Sequence, residues 1–204
     1  MSALLHVDSS PRAASVSSLL ASVFVEKWKQ QNPTGTVFHH NASRERFPFL
    51  DEDAIAAIFT PSAKRTAAQK KTLAFSDQLV DELLAADVVV LGAPMWNLSI
   101  PASLKAWIDL IVREGRTFAF TKHGVAPLIP PGKRVYVFSA RGGAYPAGTP
   151  FQDLDQQEPY LRKILGVIGL TRIDFICAEH QSGDAEAAAQ GLAQAESHLA
   201  ELPL

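Results

Sequence analysis

The sequence contains one cysteine, Cys177, and no long apolar run. A single cysteine excludes an internal disulfide and suits a reducing compartment. A membrane-spanning helix needs about 18 consecutive apolar residues, and no stretch approaches that length. Met1 leads directly into a strand pattern, without the basic segment and apolar core of a signal peptide. We therefore expect a cytoplasmic protein that binds no membrane.

The sequence also has no excess of basic residues, because 19 Lys and Arg residues and 21 Asp and Glu residues give a formal net charge of -2. Nucleic acids and anionic lipids favour a basic face, so neither is an expected partner. The G-x-S-x-G pattern is absent around Ser9, which argues against a hydrolase. His39 and His40 lack metal-ligand spacing, so we predict that they are solvated and expect no metal site.

The rest of the composition is that of an ordinary globular protein, with 47% hydrophobic and 20% charged residues. We expect one domain across residues 1–204, because no linker or repeat interrupts the pattern. Apolar runs predict five strands, at Ala3–Val7, Thr36–His40, Val88–Leu91, Val135–Phe138 and Ile173–Cys177. Helical spacing predicts helices from the serine-rich turn to about Gln31, at Asp51–Phe59, at Ala67–Ala85, from Pro101, at Tyr160–Ile168 and at Asp184–Leu202. Residues 116–131 are predicted to form a loop.

Strands that alternate with helices predict an α/β fold, in which a parallel sheet carries helices on both faces. Five strands fit the doubly wound, flavodoxin-like order 2-1-3-4-5 better than the six-stranded dinucleotide fold. This order reverses direction between strands 1 and 3. Ligands of such sheets bind at the carboxyl ends of the strands, next to that reversal.

The segment after the third strand is the strongest candidate for a ligand loop. Val88–Leu91 is apolar throughout, which is typical of a central strand buried on both faces. Pro101 suits the first turn of a helix, so residues 93–100 form a loop at the carboxyl end of this strand. The loop lacks the glycine pattern of a phosphate cradle. The side chains that suit a flat, amphipathic ring are Pro94, Met95, Trp96, Asn97 and Leu98.

Hydroxyl side chains crowd the turn between the first strand and the first helix. Ser9, Ser15 and Ser17 offer donors there, with Val16 between the last two. Free N–H groups and the dipole at a helix N-terminus stabilise a phosphate, and Arg12 would add positive charge. A serine before a helix also serves as a simple N-cap, so both interpretations stay open.

A glycine-containing loop follows the fourth strand and consists of Ala140, Arg141, Gly142 and Gly143. Paired glycines let the backbone approach a ligand closely and direct N–H groups at it, although a plain turn has the same composition. The predicted strand order brings the loops after strands 1, 3 and 4 to one edge of the sheet. A phosphate loop, a ring loop and a donor-rich loop together match the three parts of FMN.

Several motifs resemble those of one enzyme family over nearly the whole chain. They are S-S-P-R-x-x-x-S-V-S, A-P-M-W-N-L-S-I-P-A-x-L-K-A-W-I-D, R-T-F-A-F-T, A-R-G-G, L-G-x-I-G-L and the A-E pair that ends at Glu179. The sequence resembles the FMN-dependent NADH-azoreductase and NADH:quinone oxidoreductase family of the flavodoxin-like fold. The most specific motif is P-M-[YW]-N-x-x-[IV]-P-x-x-L-K, in which many members have tyrosine where Trp96 stands.

The resemblance implies an FMN cofactor, NADH or NADPH as electron donor, and quinones or azo compounds as substrates. It implies that Ser9 and residues 15–17 hold the FMN phosphate, that residues 95–98 line the ring, and that residues 140–143 face its pyrimidine edge. It also implies a homodimer and an alternating, ping-pong hydride transfer through flavin N5.

The sequence suggests roles for three further sets of residues. The N–H groups of Gly142 and Gly143 would stabilise negative charge on the ring, and Asn97 would hydrogen-bond near N5 as the catalytic residue. Phe118 and Phe120 would share a face and either stack on substrate or pack beneath a loop. A flavodoxin-type electron carrier and a cofactor-free binding module are the alternatives to an enzyme.

Overall fold

The computed structural model describes residues 2–203. Five parallel strands form its main sheet: β1 (Ala3–Asp8), β2 (Thr36–Asn41), β3 (Val88–Gly92), β6 (Arg134–Ala140) and β7 (Arg172–Ala178). Six α-helices connect or flank these strands in the described residues: α1 (Val16–Gln31), α2 (Glu52–Phe59), α3 (Ala67–Ala85), α4 (Ala102–Ile111), α5 (Glu158–Val167) and α6 (Ala185–Glu201). Most of the predicted bounds are correct to within two residues.

The strand order is β2-β1-β3-β6-β7, which confirms the predicted order 2-1-3-4-5. The register pairs His6 with Val90 and Val90 with Tyr136, so β3 lies at the centre of the sheet. Side chains alternate between the faces of a strand. Val89 and Leu91 therefore pack among residues of α3, α4 and α5, whereas Val90 packs with residues of α1 and α6. The helices thus cover both faces, as predicted.

The loop predicted at residues 116–131 is wrong, because this segment contains a β-hairpin. Strands β4 (Phe118–Thr121) and β5 (Gly124–Pro127) pair antiparallel. The prolines of this segment led to the prediction of a loop. However, Pro127 lies at the end of a four-residue strand, where a missing N–H is tolerated. The rings of Phe118 and Phe120 share a face, as predicted, with centroids 5.4 Å apart.

His40 is buried, so the prediction that it is solvated is wrong. Its Nδ1 lies 2.8 Å from Glu45 Oε2, and its Nε2 lies 2.5 Å from Glu82 Oε2. The imidazole therefore joins the end of β2 to the following loop and to α3. Adjacent histidines on a strand point to opposite faces, which is why His39 is exposed while His40 is not.

We expect His40 to make the protein less stable as the pH rises above neutrality. Burial by itself lowers the pKa of His40. The hydrogen bonds with Glu45 and Glu82, together with the negative charges of these two residues, raise the pKa by more than burial lowers it, so the net pKa lies above 6.5. The protonated form then stabilises the fold fully below the unfolded pKa, and this contribution disappears as the pH passes the folded pKa. Chemical unfolding of the wild type and of His40→Gln should show a stability difference that is largest below the ordinary histidine pKa of 6.5 and shrinks as the pH rises through the higher pKa of the folded state. A difference that does not change with pH would contradict the assignment.

Candidate functional site

A cavity of about 420 Å³ opens at the carboxyl edge of the sheet, between the loops that follow β1, β3 and β6. Ten of the residues predicted for a cofactor line it: Ser15, Val16, Pro94, Met95, Trp96, Asn97, Leu98, Ala140, Arg141 and Gly142. Its volume falls within the range of about 300–1,000 Å³ that is usual for ligand sites. The structure therefore brings the three predicted loops together around one space.

The N-terminus of α1 forms one end of this cavity. Ser15 is the N-cap, and its hydroxyl accepts a hydrogen bond of 3.3 Å from the N–H of Ser18. The N–H groups of Val16 and Ser17 lie in the first turn, where the helix offers them no acceptor. Arg12 lines the same end of the cavity. Free N–H groups, a helix dipole and a guanidinium together make this end suited to an anion.

Ser9 and Ser17 do not present their hydroxyl groups to the cavity. The Ser9 hydroxyl donates to the carbonyl of Gly92 at 2.7 Å, and the Ser9 carbonyl accepts from Ser43 and Ser103 at 2.7 and 3.2 Å. The Ser17 side chain is buried, with its Oγ 3.0 Å from that of Ser15. Ser9 thus joins β1, β3 and α4, while the neighbouring Ser10 lines the cavity instead.

The loop after β3 forms a tight turn at the middle of the cavity. The N–H groups of Trp96 and Ser99 each donate to the other residue's carbonyl, at 2.9 and 3.0 Å. The two residues between them have positive φ, 47° at Asn97 and 67° at Leu98. Asparagine tolerates this conformation, but leucine adopts it rarely, and strained backbone of this kind concentrates at binding sites. The turn leaves the indole of Trp96 45% exposed against the open space.

The loop after β6 is held to the loop after β7 by backbone hydrogen bonds. The carbonyls of Arg141 and Gly142 accept from the N–H groups of Gln181 and Ser182, at 2.9 and 3.2 Å. In a trans peptide the N–H points opposite to the carbonyl. The N–H groups of Gly142 and Gly143 therefore point away from residues 181–182. Gly143 itself does not line the cavity.

The Arg141 side chain lies behind the loop, where it is only 4% exposed. Its guanidinium lies 3.1 Å from Asp155, 3.5 Å from Glu179 and 3.6 Å from Glu158. Three carboxylates thus compensate for burying the charge. The pKa of Glu179 is raised, because its own burial outweighs the attraction of Arg141. Arg141 anchors the glycine loop and offers its charge to these carboxylates.

Besides Arg12, which was expected to add positive charge near the phosphate, five cavity residues were not among the predicted cofactor ligands: Ser10, Ala14, Tyr145, Gln181 and Ser182. Two of them belong to a fourth loop, which follows β7. The position of this loop could be predicted from the strand order, because β7 ends at the same edge of the sheet as β6. The close fit of this loop is visible only in the structure, where a Cβ on Gly142 would lie 2.8 Å from Ser182 Oγ.

Phe118 and Phe120 line neither this cavity nor its neighbour. They follow α4, which runs antiparallel to β3 and returns the chain toward the opposite edge of the sheet. The neighbouring cavity has a volume of about 830 Å³ and shares Trp96 and Asn97 with the first. Its lining also includes Pro101, Lys105 and Tyr160.

Cys177 is placed unfavourably for nucleophilic chemistry. Burial raises the pKa of the Cys177 thiol to about 12, so the nucleophilic thiolate is suppressed, in agreement with the strand position of this residue. Within residues 2–203, no three His, Cys, Asp or Glu side chains are grouped to hold a metal ion. None of the helices in that range has the length and apolarity to cross a membrane.

The sequence matches the family described as flavodoxin-like fold over residues 2–202. It is 44% identical over 202 residues to FMN-dependent NADH:quinone oxidoreductase 2 of Trichormus variabilis, covering 98% of both chains. It is 45% identical over 204 residues to FMN-dependent NADH:quinone oxidoreductase of Leptothrix cholodnii, covering 98% of this chain and 95% of the relative.

The structure is similar to the crystal structure of an azoreductase from Bacillus anthracis. The TM-score is 0.85 at 29% sequence identity, and the match covers 99% of this chain and 100% of the azoreductase chain. The sequence relatives and this structural neighbour agree with the family that the motifs indicated. The chain belongs to the FMN-dependent NADH:quinone oxidoreductase family of the flavodoxin-like fold.

Proposed function

We propose that this protein binds FMN in the 420 Å³ cavity and uses NADH to reduce quinones and azo compounds. The observation that carries the proposal is the cavity itself, because one end suits an anion and the other suits a flat, polar-edged ring. The names of the sequence relatives and of the structural neighbour support the same chemistry. A reducing, cytoplasmic setting is part of the proposal and agrees with the single, poorly ionised Cys177.

The residues of the cavity fit the two ends of FMN. The N–H groups of Val16 and Ser17, the Ser15 hydroxyl and Arg12 would hold the phosphate. Residues 94–98 would line the ring, with the Trp96 indole against it. The Gly142 N–H would meet the pyrimidine edge, and Gly143 would contribute from the end of the same loop. The Ser9 side chain supports the phosphate loop from behind.

FMN, when bound, would supply the redox chemistry by accepting a hydride at N5 from NADH and passing it to a quinone or azo bond in a ping-pong scheme. The Gly142 and Gly143 N–H groups would stabilise negative charge on the pyrimidine edge of the reduced ring. These groups are fixed in direction before the reaction, so no reorganisation is needed. The Asn97 amide would donate a hydrogen bond near N5, and Met95 and Trp96 would exclude water from one side of the ring.

The 830 Å³ cavity is the proposed path for substrates. It shares Trp96 and Asn97 with the cofactor cavity, so a ligand there would lie beside the ring. A flat, largely apolar space discriminates poorly among flat substrates, which agrees with a choice of quinones and azo compounds. NADH and NADPH would both enter by this route.

A homodimer is also part of the proposal. Trp96 and Leu98 are 45% and 36% exposed at the site, and Phe120 and Val125 are 64% and 49% exposed on the hairpin. Apolar surfaces of this kind are typical of protein contacts. Phe118 and Phe120 remain candidates for stacking on substrate, and since they are absent from the site of their own chain, they would do so in the site of a second copy. Sedimentation velocity at several concentrations measures the assembly directly.

Anaerobic titration of the FMN-loaded protein with NADH tests the proposal. The visible absorbance of the flavin should disappear on adding NADH and return on adding a quinone. A protein that binds FMN but is not bleached by NADH would instead favour the electron carrier. A protein that binds no FMN would reject both functions.

We expect Asn97→Ala to lower turnover by about tenfold and FMN affinity by less, because one hydrogen bond near N5 is lost. The backbone φ of 47° at this position strains alanine, so strain alone can perturb the turn. Asn97→Gly is the matched control, because glycine adopts this φ freely while also lacking the amide. Stopped-flow measurement of both half-reactions should show the same loss in both variants. Normal turnover in Asn97→Gly would remove the catalytic role of the Asn97 side chain.

A further inference from the structure

The side chain of Gln157 joins the two loops that face the ring side of the cavity. It is fully buried, at 0% exposure, just before α5. Its Nε2 donates to the carbonyl of Ala93 at 2.9 Å. Its Oε1 accepts from the Ser139 hydroxyl at 2.7 Å and from Arg141 Nε at 3.2 Å. One amide therefore holds the end of β3 and the end of β6 at a fixed separation.

These bonds occur where the two strands stop pairing and their loops begin. Ala93 N–H donates to the Phe138 carbonyl at 2.8 Å, and Met95 N–H donates to the Ala140 carbonyl at 3.0 Å. In a parallel ladder the next donor to the Ala93 carbonyl would be a backbone N–H of the neighbouring strand. Here the Gln157 amide takes that place. The spacing of the loops at this point is thus fixed partly by these backbone bonds and partly by a side chain from a third segment.

The backbone of Gln157 is itself held in place. Its N–H donates to Asp155 Oδ1 at 2.8 Å, and the other oxygen of that carboxylate lies 3.1 Å from Arg141. The preceding residue, Gln156, donates from its N–H to the Leu98 carbonyl at 2.9 Å. The segment 155–157 is therefore bonded to both ring loops, and none of its hydrogen bonds or ion pairs in the described residues goes to the first turn of α1.

We propose that Gln157 is a positioning residue for the flavin ring. It sets the distance between residues 94–98 and residues 140–143, and so the width of the slot that receives the ring. The inference rests on the proposed FMN site. It goes beyond it by separating ring recognition from phosphate recognition, since Gln157 supports only the two ring loops.

Gln157→Met tests the inference, because methionine has a similar length and makes none of the three hydrogen bonds. Gln156→Met is the matched control, since it makes the same chemical change at an exposed neighbour. We expect Gln157→Met to weaken the binding of FMN and the binding of riboflavin by the same factor, about tenfold. This loss is equivalent to one or two lost hydrogen bonds. The ratio of the two affinities should stay at the wild-type value because the phosphate end is untouched. Gln156→Met should bind both as the wild type does.

Binding is measured by flavin fluorescence at temperatures below the unfolding midpoint of each protein. If Gln157→Met lowers the midpoint but binds both flavins normally, the residue is structural only and the inference is overturned. Should that variant fail to fold, Gln157→Glu replaces it, because a carboxylate can still accept from Ser139 and Arg141 but cannot donate to Ala93. Normal riboflavin affinity in Gln157→Glu would equally overturn the inference.

Hydrogen exchange of the flavin-free protein separates this inference from the proposed function. Amides of residues 95–99 and 141–145 should exchange about tenfold faster in Gln157→Met, and those of residues 15–19 should not change. Unchanged exchange in the ring loops would contradict the positioning role even if FMN binds. A wild type that binds no FMN would reject the proposed function, while the exchange result would still decide whether Gln157 spaces the loops.

Discussion

Ser15→Asp should weaken FMN binding by about 100-fold, because it places a carboxylate next to the phosphate. Aspartate is as good an N-cap as serine, so α1 should remain folded. The Ser15 hydroxyl lies at the cavity and caps the first turn, so the new charge would face the same space. Two like charges a few ångströms apart near a protein surface repel by about 3–4 kcal/mol, enough to outweigh the helix dipole. Fluorescence titration of the apo-protein with FMN measures the effect.

Ser15→Asn is the matched control, since asparagine has the shape of aspartate, caps equally well and carries no charge. It should retain FMN within a few-fold of the wild type. Riboflavin lacks the phosphate, so its affinity should be similar in all three proteins. Equal FMN affinity in the Asp and Asn variants would mean that the phosphate does not lie at the N-terminus of α1.

Gly191→Ala should destabilise the protein by about 3 kcal/mol, although alanine normally favours a helix by about 1 kcal/mol. Gly191 lies in α6 and faces the backbone of residue 179, at the end of β7. A Cβ there would lie 2.0 Å from the Glu179 carbonyl oxygen and 2.9 Å from its carbon. Backbone atoms cannot turn aside as a side chain can, so α6 must move away from the sheet. Urea unfolding measures the change.

Gly166→Ala is the control for this prediction. Gly166 lies in α5, and a Cβ there would meet nothing within 4 Å. The same chemical change should therefore stabilise the protein, by up to about 1 kcal/mol. A Gly191→Ala variant that is as stable as Gly166→Ala would show that α6 has room that the packing does not indicate.

The sheet and its ligand edge could be predicted from the sequence because they depend on periodicity. The run Val88–Leu91 identified the central strand, and five strands in alternation with helices led to the order observed. Local composition misled the prediction at the hairpin, where prolines suggested a loop, and at His40. The burial of His40 depends on Glu82 of α3, which is 42 residues away, so no local pattern contains it.

The candidate site could be predicted at the level of loops and only partly at the level of side chains. The motifs identified residues 94–98 and 140–143, but not which way each side chain points. Ser9 turns toward the Gly92 carbonyl, and Arg141 turns toward three carboxylates. Gln157 belongs to none of the motifs found in the sequence. Its proposed role follows from a hydrogen bond to Ala93, 64 residues away, which only the folded chain creates.

Backbone amide chemical shifts during a titration with FMN test the central claim most directly, which is that three loops converge on one cofactor. We predict that the largest shifts occur together at residues 15–17, 95–98 and 142–143, with the same FMN dependence. Amides at the opposite edge of the sheet, such as those of Thr36 and Arg134, should not change. Shifts confined to one of the three loops, or centred on the opposite edge, would contradict the claim.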